Sequence, residues 1–111
     1  MNRQLTMLIV DDMEVERISF AEIFKDEYQI LEAENGKQAM EQLEQQKVHI
    51  VLLDLCMPVM DGFEVIREMK QQDKYADIPI VAKTAIDEKT EVKALEAGAD
   101  EYIFLRVIRP S

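Results

Sequence analysis

Ile50-Val51-Leu52-Leu53-Asp54-Leu55-Cys56-Met57 sets one carboxylate inside the most apolar run of the chain. Val48–Leu53 predicts a strand. A strand that is apolar on both sides belongs at the centre of a sheet covered on both faces. A carboxylate embedded in such a run costs several kcal/mol if it is left unpaired. Asp54 is therefore not there for stability, and it marks the place to look for chemistry.

Outward from this run, strand-like and helix-like segments alternate. Upstream, Leu5–Val10 and Tyr28–Ala33 predict strands. Met13–Asp26 carries Val15, Ile18, Phe20, Ala21, Ile23 and Phe24 at helical spacing, and Lys37–Gln46 places Ala39, Met40 and Leu43 on one helical face. Glu34-Asn35-Gly36 is a turn signal, with Gly36 serving turn geometry. Downstream, Gly62–Gln72 predicts a helix with Phe63, Val65, Ile66 and Met69 inward, and Gly62 at its start. Ile78–Ala82 predicts a short strand, Glu88–Ala97 a helix with Gly98 as C-cap, and Glu101–Phe104 a last strand. Five strands alternating with four helices predict an α/β fold with a parallel sheet. Right-handed crossovers make it a doubly wound open sheet, whose ligand site lies beyond the carboxyl ends of the strands.

Composition narrows the function classes. The chain has 111 residues, 48% apolar and 32% charged, which predicts a single domain over 1–111. Asp and Glu number 23 against 13 Lys and Arg, a formal net charge of −10, which disfavours direct contact with nucleic acid or an anionic membrane. Cys56 is the one cysteine, so no intrachain disulfide forms. Met7–Val10 and Ile50–Leu53 are too short to span a bilayer, and Asp11-Asp12 cuts short any signal-peptide core. A reduced, cytoplasmic setting is expected.

At the carboxyl ends of the strands stand Asp11-Asp12, Asp54 and Thr84-Ala85. If the first strand lies beside the third, three carboxylates converge on one pocket. Such a group raises at least one pKa unless a cation neutralises it. A hard divalent ion with oxygen ligands, Mg²⁺, suits the site. Zinc does not, because His49 stands alone and Cys56 has no thiol partner. Taken singly, Asp12 reads as a helix N-cap or turn residue; the joint pattern favours the metal. The methionines Met40, Met57, Met60 and Met69 read as core or loop packing, and His49, at the far end of the central strand, as structural.

Leu8-Ile9-Val10-Asp11-Asp12, Leu52-Leu53-Asp54-Leu55-Cys56-Met57-Pro58-Val59-Met60-Asp61-Gly62, Ala82-Lys83-Thr84-Ala85 and Ala97-Gly98-Ala99-Asp100-Glu101-Tyr102 resemble the receiver domain of two-component response regulators. The likeness runs from about Leu5 to Phe104, and the Asp-x-x-Met-Pro-x-Met-Asp-Gly block is highly specific. It implies a flavodoxin-like five-stranded sheet in the order 2-1-3-4-5. It implies Asp54 as phosphoacceptor, Mg²⁺ on Asp11, Asp12, Asp54 and the Cys56 backbone carbonyl, Thr84 as hydrogen-bond donor to the phosphoryl group, and Tyr102 as the switch aromatic. The implied partner is a histidine kinase or phosphotransfer protein, with a fused or separate output domain. Such a domain promotes its own phosphorylation and hydrolysis but is not a turnover enzyme. The surface of Glu88–Glu96 and the last strand would carry the output.

Two departures stand out. Receivers carry Lys-Pro three residues after the aromatic of the last strand, and Leu105-Arg106 occupies that place here. Strand alternation points Arg106 and Lys83 away from the pocket, and Arg109-Pro110 lies about 13 Å further along an extended chain. None is an evident replacement for the missing cation. The family also has a fifth helix, and Val107–Ser111 is too short to form a useful one. The apolar face so exposed would favour a homodimer.

The rival from another class is a receiver fold that has lost switching with its lysine and acts as a constitutive interaction module. A haloacid-dehalogenase-like phosphatase is disfavoured because Asp11-Asp12 lacks the two-residue spacing of its acidic pair. A flavodoxin-like cofactor site is disfavoured because no Ser/Thr/Gly-rich phosphate loop follows the first strand.

Overall fold

Apolar runs flanked by helix caps and turns form the sheet where the alternation places them. The computed structural model describes residues 4–55, 57, 60–84, 95–99 and 101–104, with backbone alone at Thr84 and Glu101–Phe104. The strands are β1 (Leu5–Val10), β2 (Tyr28–Ala33), β3 (Ile50–Asp54), β4 (Ile80–Thr84) and β5 (Glu101–Phe104); the helices are α1 (Glu14–Phe24), α2 (Gly36–Gln45) and α3 (Gly62–Gln71). The sheet runs β2-β1-β3-β4-β5 with every pair parallel, the doubly wound order expected.

β1 and β2 have the predicted bounds, whereas β3 and β4 start later than expected. At β3, His49 stands in for a strand residue: its N–H donates to the Thr6 carbonyl at 2.9 Å, and its Nδ1 accepts from the Thr6 N–H at 2.9 Å. His49 is structural, as predicted. At β4, Pro79 has no N–H to give the ladder; its carbonyl accepts from Val51 at 3.0 Å and the strand begins at Ile80. β4 then continues through Lys83 to Thr84, past the expected end at Ala82. Most of the Glu88–Ala97 helix lies outside the described residues. Its end is helical at 95–97 and closes on Gly98, which has φ of +120° and donates to the Leu95 carbonyl at 3.1 Å. The question of a fifth helix falls on 105–111, also outside them.

α2 and α3 lie on one face of the sheet. Leu8, Val10, Val51, Leu53, Ile80 and Ala82 from the strands pack there against Ala39, Leu43, Val65, Ile66 and Met69. Each Val, Leu, Ile or Met side chain among them contributes about 1.5–3 kcal/mol of burial. Both helices are capped from the side chain: Asn35 accepts from the Gln38 N–H at 2.8 Å and Asp61 from the Glu64 N–H at 3.0 Å. Met57 and Met69 are buried and Met40 and Met60 partly so, which bears out their packing role.

α1 lies on the other face and differs from expectation. No residue of α1 is fully buried, and Val15 (75%), Ile18 (49%) and Ile23 are exposed; only Phe20, Ala21 and Phe24 pack on Met7, Ile9 and Leu52. Helical spacing identified the apolar residues but not how much of the helix the sheet covers. Polar ties replace packing here. Arg17 Nη1 donates to the Asp11 carbonyl at 2.9 Å, and its Nε pairs with Glu32 at 3.1 Å.

Candidate functional site: an acidic cluster with a buried lysine

Strand alternation builds the site. Val10 and Leu53 belong to the α2–α3 face, so Asp11 and Asp54, one residue further on, turn to the α1 side. Asp11 is 0% exposed and Asp54 8%, while Asp12 is exposed. One carboxylate oxygen from each of Asp11, Asp12 and Asp54 lies within 4.8 Å of the others. This convergence at the carboxyl edge is what the conditional placement of strand one beside strand three required. The donor set is all oxygen, which fits a hard divalent cation such as Mg²⁺.

Asp12 does not cap α1. The N-cap is Met13, with no side-chain cap bond, and the Met13 N–H donates instead to Asp11 Oδ1 at 2.9 Å. Asp12 is left facing solvent beside the two buried carboxylates.

Glycine lets the loop after β3 close tightly. A Cβ on Gly62 would stand 2.5 Å from the Asp54 carbonyl oxygen and 2.6 Å from Leu55 Cα. α3 can therefore begin against the backbone of Asp54 only with glycine there. Gly36 is the first residue of α2 and not a positive-φ turn residue; a Cβ there would stand 2.6 Å from the Met60 backbone oxygen. Its role is close approach, a correction to the turn assignment.

Lys83 is the main departure from expectation. It was expected to point away from the pocket, yet its side chain is 0% exposed and its Nζ pairs with Asp11 Oδ2. The reason is register: Lys83 is the Cα partner of Asp54, and paired residues of parallel strands share a face. Nζ also lies 3.4 Å from Glu16 Oε2 and 4.9 Å from the centre of the Phe20 ring. Burial pushes the Asp11 carboxyl up, but the hydrogen bonds from Lys83 and the Met13 N–H, with the lysine's charge, outweigh it and hold the group below its usual range. Glu16 is pushed up, first by its hydrogen bond to Asp11 and then by burial. Sequence reasoning pointed Lys83 away from the pocket and missed Glu16. The signal was available for the lysine: a charge inside Ile80-Val81-Ala82-Lys83 is as anomalous as Asp54 inside its own run.

The remaining site candidates are less fully placed. Thr84 ends β4, and Tyr102 lies on β5 as the Cα partner of Ala82. Their side chains, and Cys56 entirely, fall outside the described residues.

Comparison with known proteins gives the family. The family model for the response regulator receiver domain matches residues 7–107. The chemotaxis protein CheY of Halobacterium salinarum is 39% identical over 95% of this chain and 88% of its own length. The phosphate regulon transcriptional regulatory protein PhoB of Pseudomonas aeruginosa is 39% identical over 88% of this chain, which spans 44% of it. Among solved structures, the receiver domain of a signal transduction histidine kinase from Syntrophus aciditrophicus is 30% identical, with a TM-score of 0.83 over 90% of this chain and 77% of that one. The receiver domain of sensor histidine kinase PA1611 from Pseudomonas aeruginosa, which has a magnesium ion in its active site cleft, is 27% identical with a TM-score of 0.84 over 93% of this chain and 86% of that one. Receiver domains interact with histidine kinases or phosphotransfer proteins and often carry output domains, and their general function is phosphotransfer to an aspartate. The chain belongs to the response regulator receiver domain family.

Proposed function

We propose that this chain, as one receiver domain over 1–111, accepts a phosphoryl group on Asp54 from a phosphohistidine of a histidine kinase or phosphotransfer protein. The observation that carries the reading is the convergence of Asp11, Asp12 and Asp54 at the carboxyl edge of the sheet. An ionised carboxylate needs no general base to attack phosphorus. The bond between an Asp54 oxygen and phosphorus forms as the donor's nitrogen–phosphorus bond breaks. The electron pair leaves with the imidazole nitrogen, which takes a proton from solvent. Asp11, Asp12, Asp54 and the Cys56 carbonyl would hold Mg²⁺, which neutralises charge on the phosphoryl oxygens when bound.

Carried over from the family, Thr84 donates to the phosphoryl group and Tyr102 follows it by changing rotamer. That packing change is the switch presented to a partner or an output domain. The domain accepts and hydrolyses its own phosphoryl group and turns over no external substrate. Its setting is cytoplasmic; no helix among the described residues is long and apolar enough to cross a membrane. The interaction-module alternative is not favoured by the family comparison.

Acetyl phosphate with Mg²⁺ tests the reading by intact mass. One phosphoryl group on the wild type and none on Asp54→Asn is expected; equal uptake by both refutes it. A second reading concerns assembly. Val15, Ile18 and Ile23 expose apolar surface on α1, which suits pairing of two copies. A monomer by light scattering at high concentration, with no exposed-patch dye binding, counts against it.

A further inference from the structure

We propose that Lys83 serves the site twice, at rest as the counter-ion of Asp11 and after transfer as the cation that holds the phosphoryl oxygens on Asp54. The proposal rests on the reading of Asp54 as acceptor. It assigns the phosphoryl-contacting ammonium to β4, where the family pattern has it after the last strand.

Lysine is almost never fully buried without a purpose for its charge. Lys83 is fully buried, and Asp11, Glu16 and the Phe20 ring surround its ammonium. Its path matters more than its burial. The backbone of Lys83 stands beside Asp54, its Cα partner on β3. Its Nζ ends at Asp11, which follows β1 on the far side of β3. Neighbouring strands are about 4.8 Å apart, so the side chain crosses the end of the strand that carries the acceptor. Rotation about its terminal bonds can carry the ammonium from Asp11 to a group on Asp54 with no shift of the backbone.

Charge drives the exchange. Asp11 offers the ammonium one negative charge, whereas a phosphoryl group on Asp54 brings nearly two and three acceptor oxygens. The lysine's move also releases Asp11 Oδ2 for a divalent cation. Lys83 therefore competes with that cation for Asp11 before transfer and assists it afterwards. One substitution should then change two affinities in opposite directions, a result that a merely structural lysine would not give.

The test is Lys83→Met, measured by calorimetry with Mg²⁺ alone and then by NMR with beryllofluoride at saturating Mg²⁺. An opposite charge within reach changes a carboxylate's affinity for a proton by about ten- to a thousandfold, so Mg²⁺ binding should tighten by about tenfold and beryllofluoride binding weaken by about tenfold or more. Lys83→Arg should recover part of the second loss. Both affinities falling together, or neither changing while the wild type binds both ligands, overturns the assignment of Lys83. A wild type that takes neither beryllofluoride nor a phosphoryl group from acetyl phosphate overturns the Asp54 reading itself. Should Lys83→Met not fold, the wild type still decides. Its slowly exchanging lysine ammonium resonance, identified by its loss in Lys83→Arg, should shift when beryllofluoride is added, and an unmoved resonance overturns the proposal.

Discussion

The two faces of the sheet do different work. Against α2 and α3, the strands present Val10, Val51, Leu53, Ile80 and Ala82 in one continuous buried cluster. Against α1, the buried set among the described residues is Met7, Ile9 and Leu52, and at the carboxyl end the same rows continue into Asp11, Asp54 and Lys83. Among the described residues, one face supplies most of the apolar burial, and the other hosts charges that burial alone would expel. A buried ion pair is weak support for stability, because desolvation offsets most of its attraction. Among the described residues, the α1 face therefore holds its charges at some expense in packing.

Breaking the charged side should have the largest effect. Lys83→Met leaves Asp11 buried beside Asp12 and Asp54 with no ammonium, and loss of one partner of a buried pair costs about 3–5 kcal/mol. Urea unfolding at neutral pH should show this, and adding Mg²⁺ should recover part of it by mass action. Acid sharpens the comparison. The Asp11 carboxyl is held below its usual range in the folded state, so the stability it contributes is present above about pH 4 and is lost as pH falls through the folded value. The gap between wild type and Lys83→Met should close on acidification; a gap that widens would contradict the pairing.

Ile66→Ala probes the apolar side and should cost about 2–5 kcal/mol in the same unfolding assay, with little effect on Mg²⁺ affinity. Gly62→Ala forces a Cβ onto the Asp54 carbonyl and Leu55, an overpacking cost of about 1–3 kcal/mol. It should also weaken phosphoryl uptake more than its stability loss explains, because the displaced backbone carries Asp54, the proposed acceptor. Ile18→Ala, on the exposed side of α1, should change stability by no more than about 0.5 kcal/mol.

Much of this was legible in the residues. A compact apolar run over Leu5–Val10 and the strand-like segment Tyr28–Ala33 gave β1 and β2 their bounds, and a charge inside the central run marked Asp54 as a place to look for chemistry. The failures have non-local causes. Lys83 pairs with Asp54 in the register of β3 and β4, so the parity assigned to Lys83 was wrong. Side-chain parity depends on which residues pair across strands, and register is a tertiary property. α1 was overestimated for a similar reason. Periodicity reports which residues could face a core, and the neighbouring elements decide how many of them do. Gly36 was assigned to turn geometry when its role is contact with Met60, which lies far along the chain and is invisible to local reasoning.

The central claim is that Asp54 is the one carboxylate of the cluster that takes the phosphoryl group. Borohydride reduces an acyl phosphate to an alcohol and so converts a phosphorylated aspartate to homoserine. The protein should be treated with acetyl phosphate and Mg²⁺, reduced, digested and sequenced by mass spectrometry. Homoserine at position 54, with Asp11 and Asp12 intact, is the predicted result; conversion at position 11 or 12 instead, or at none of the three, would contradict it.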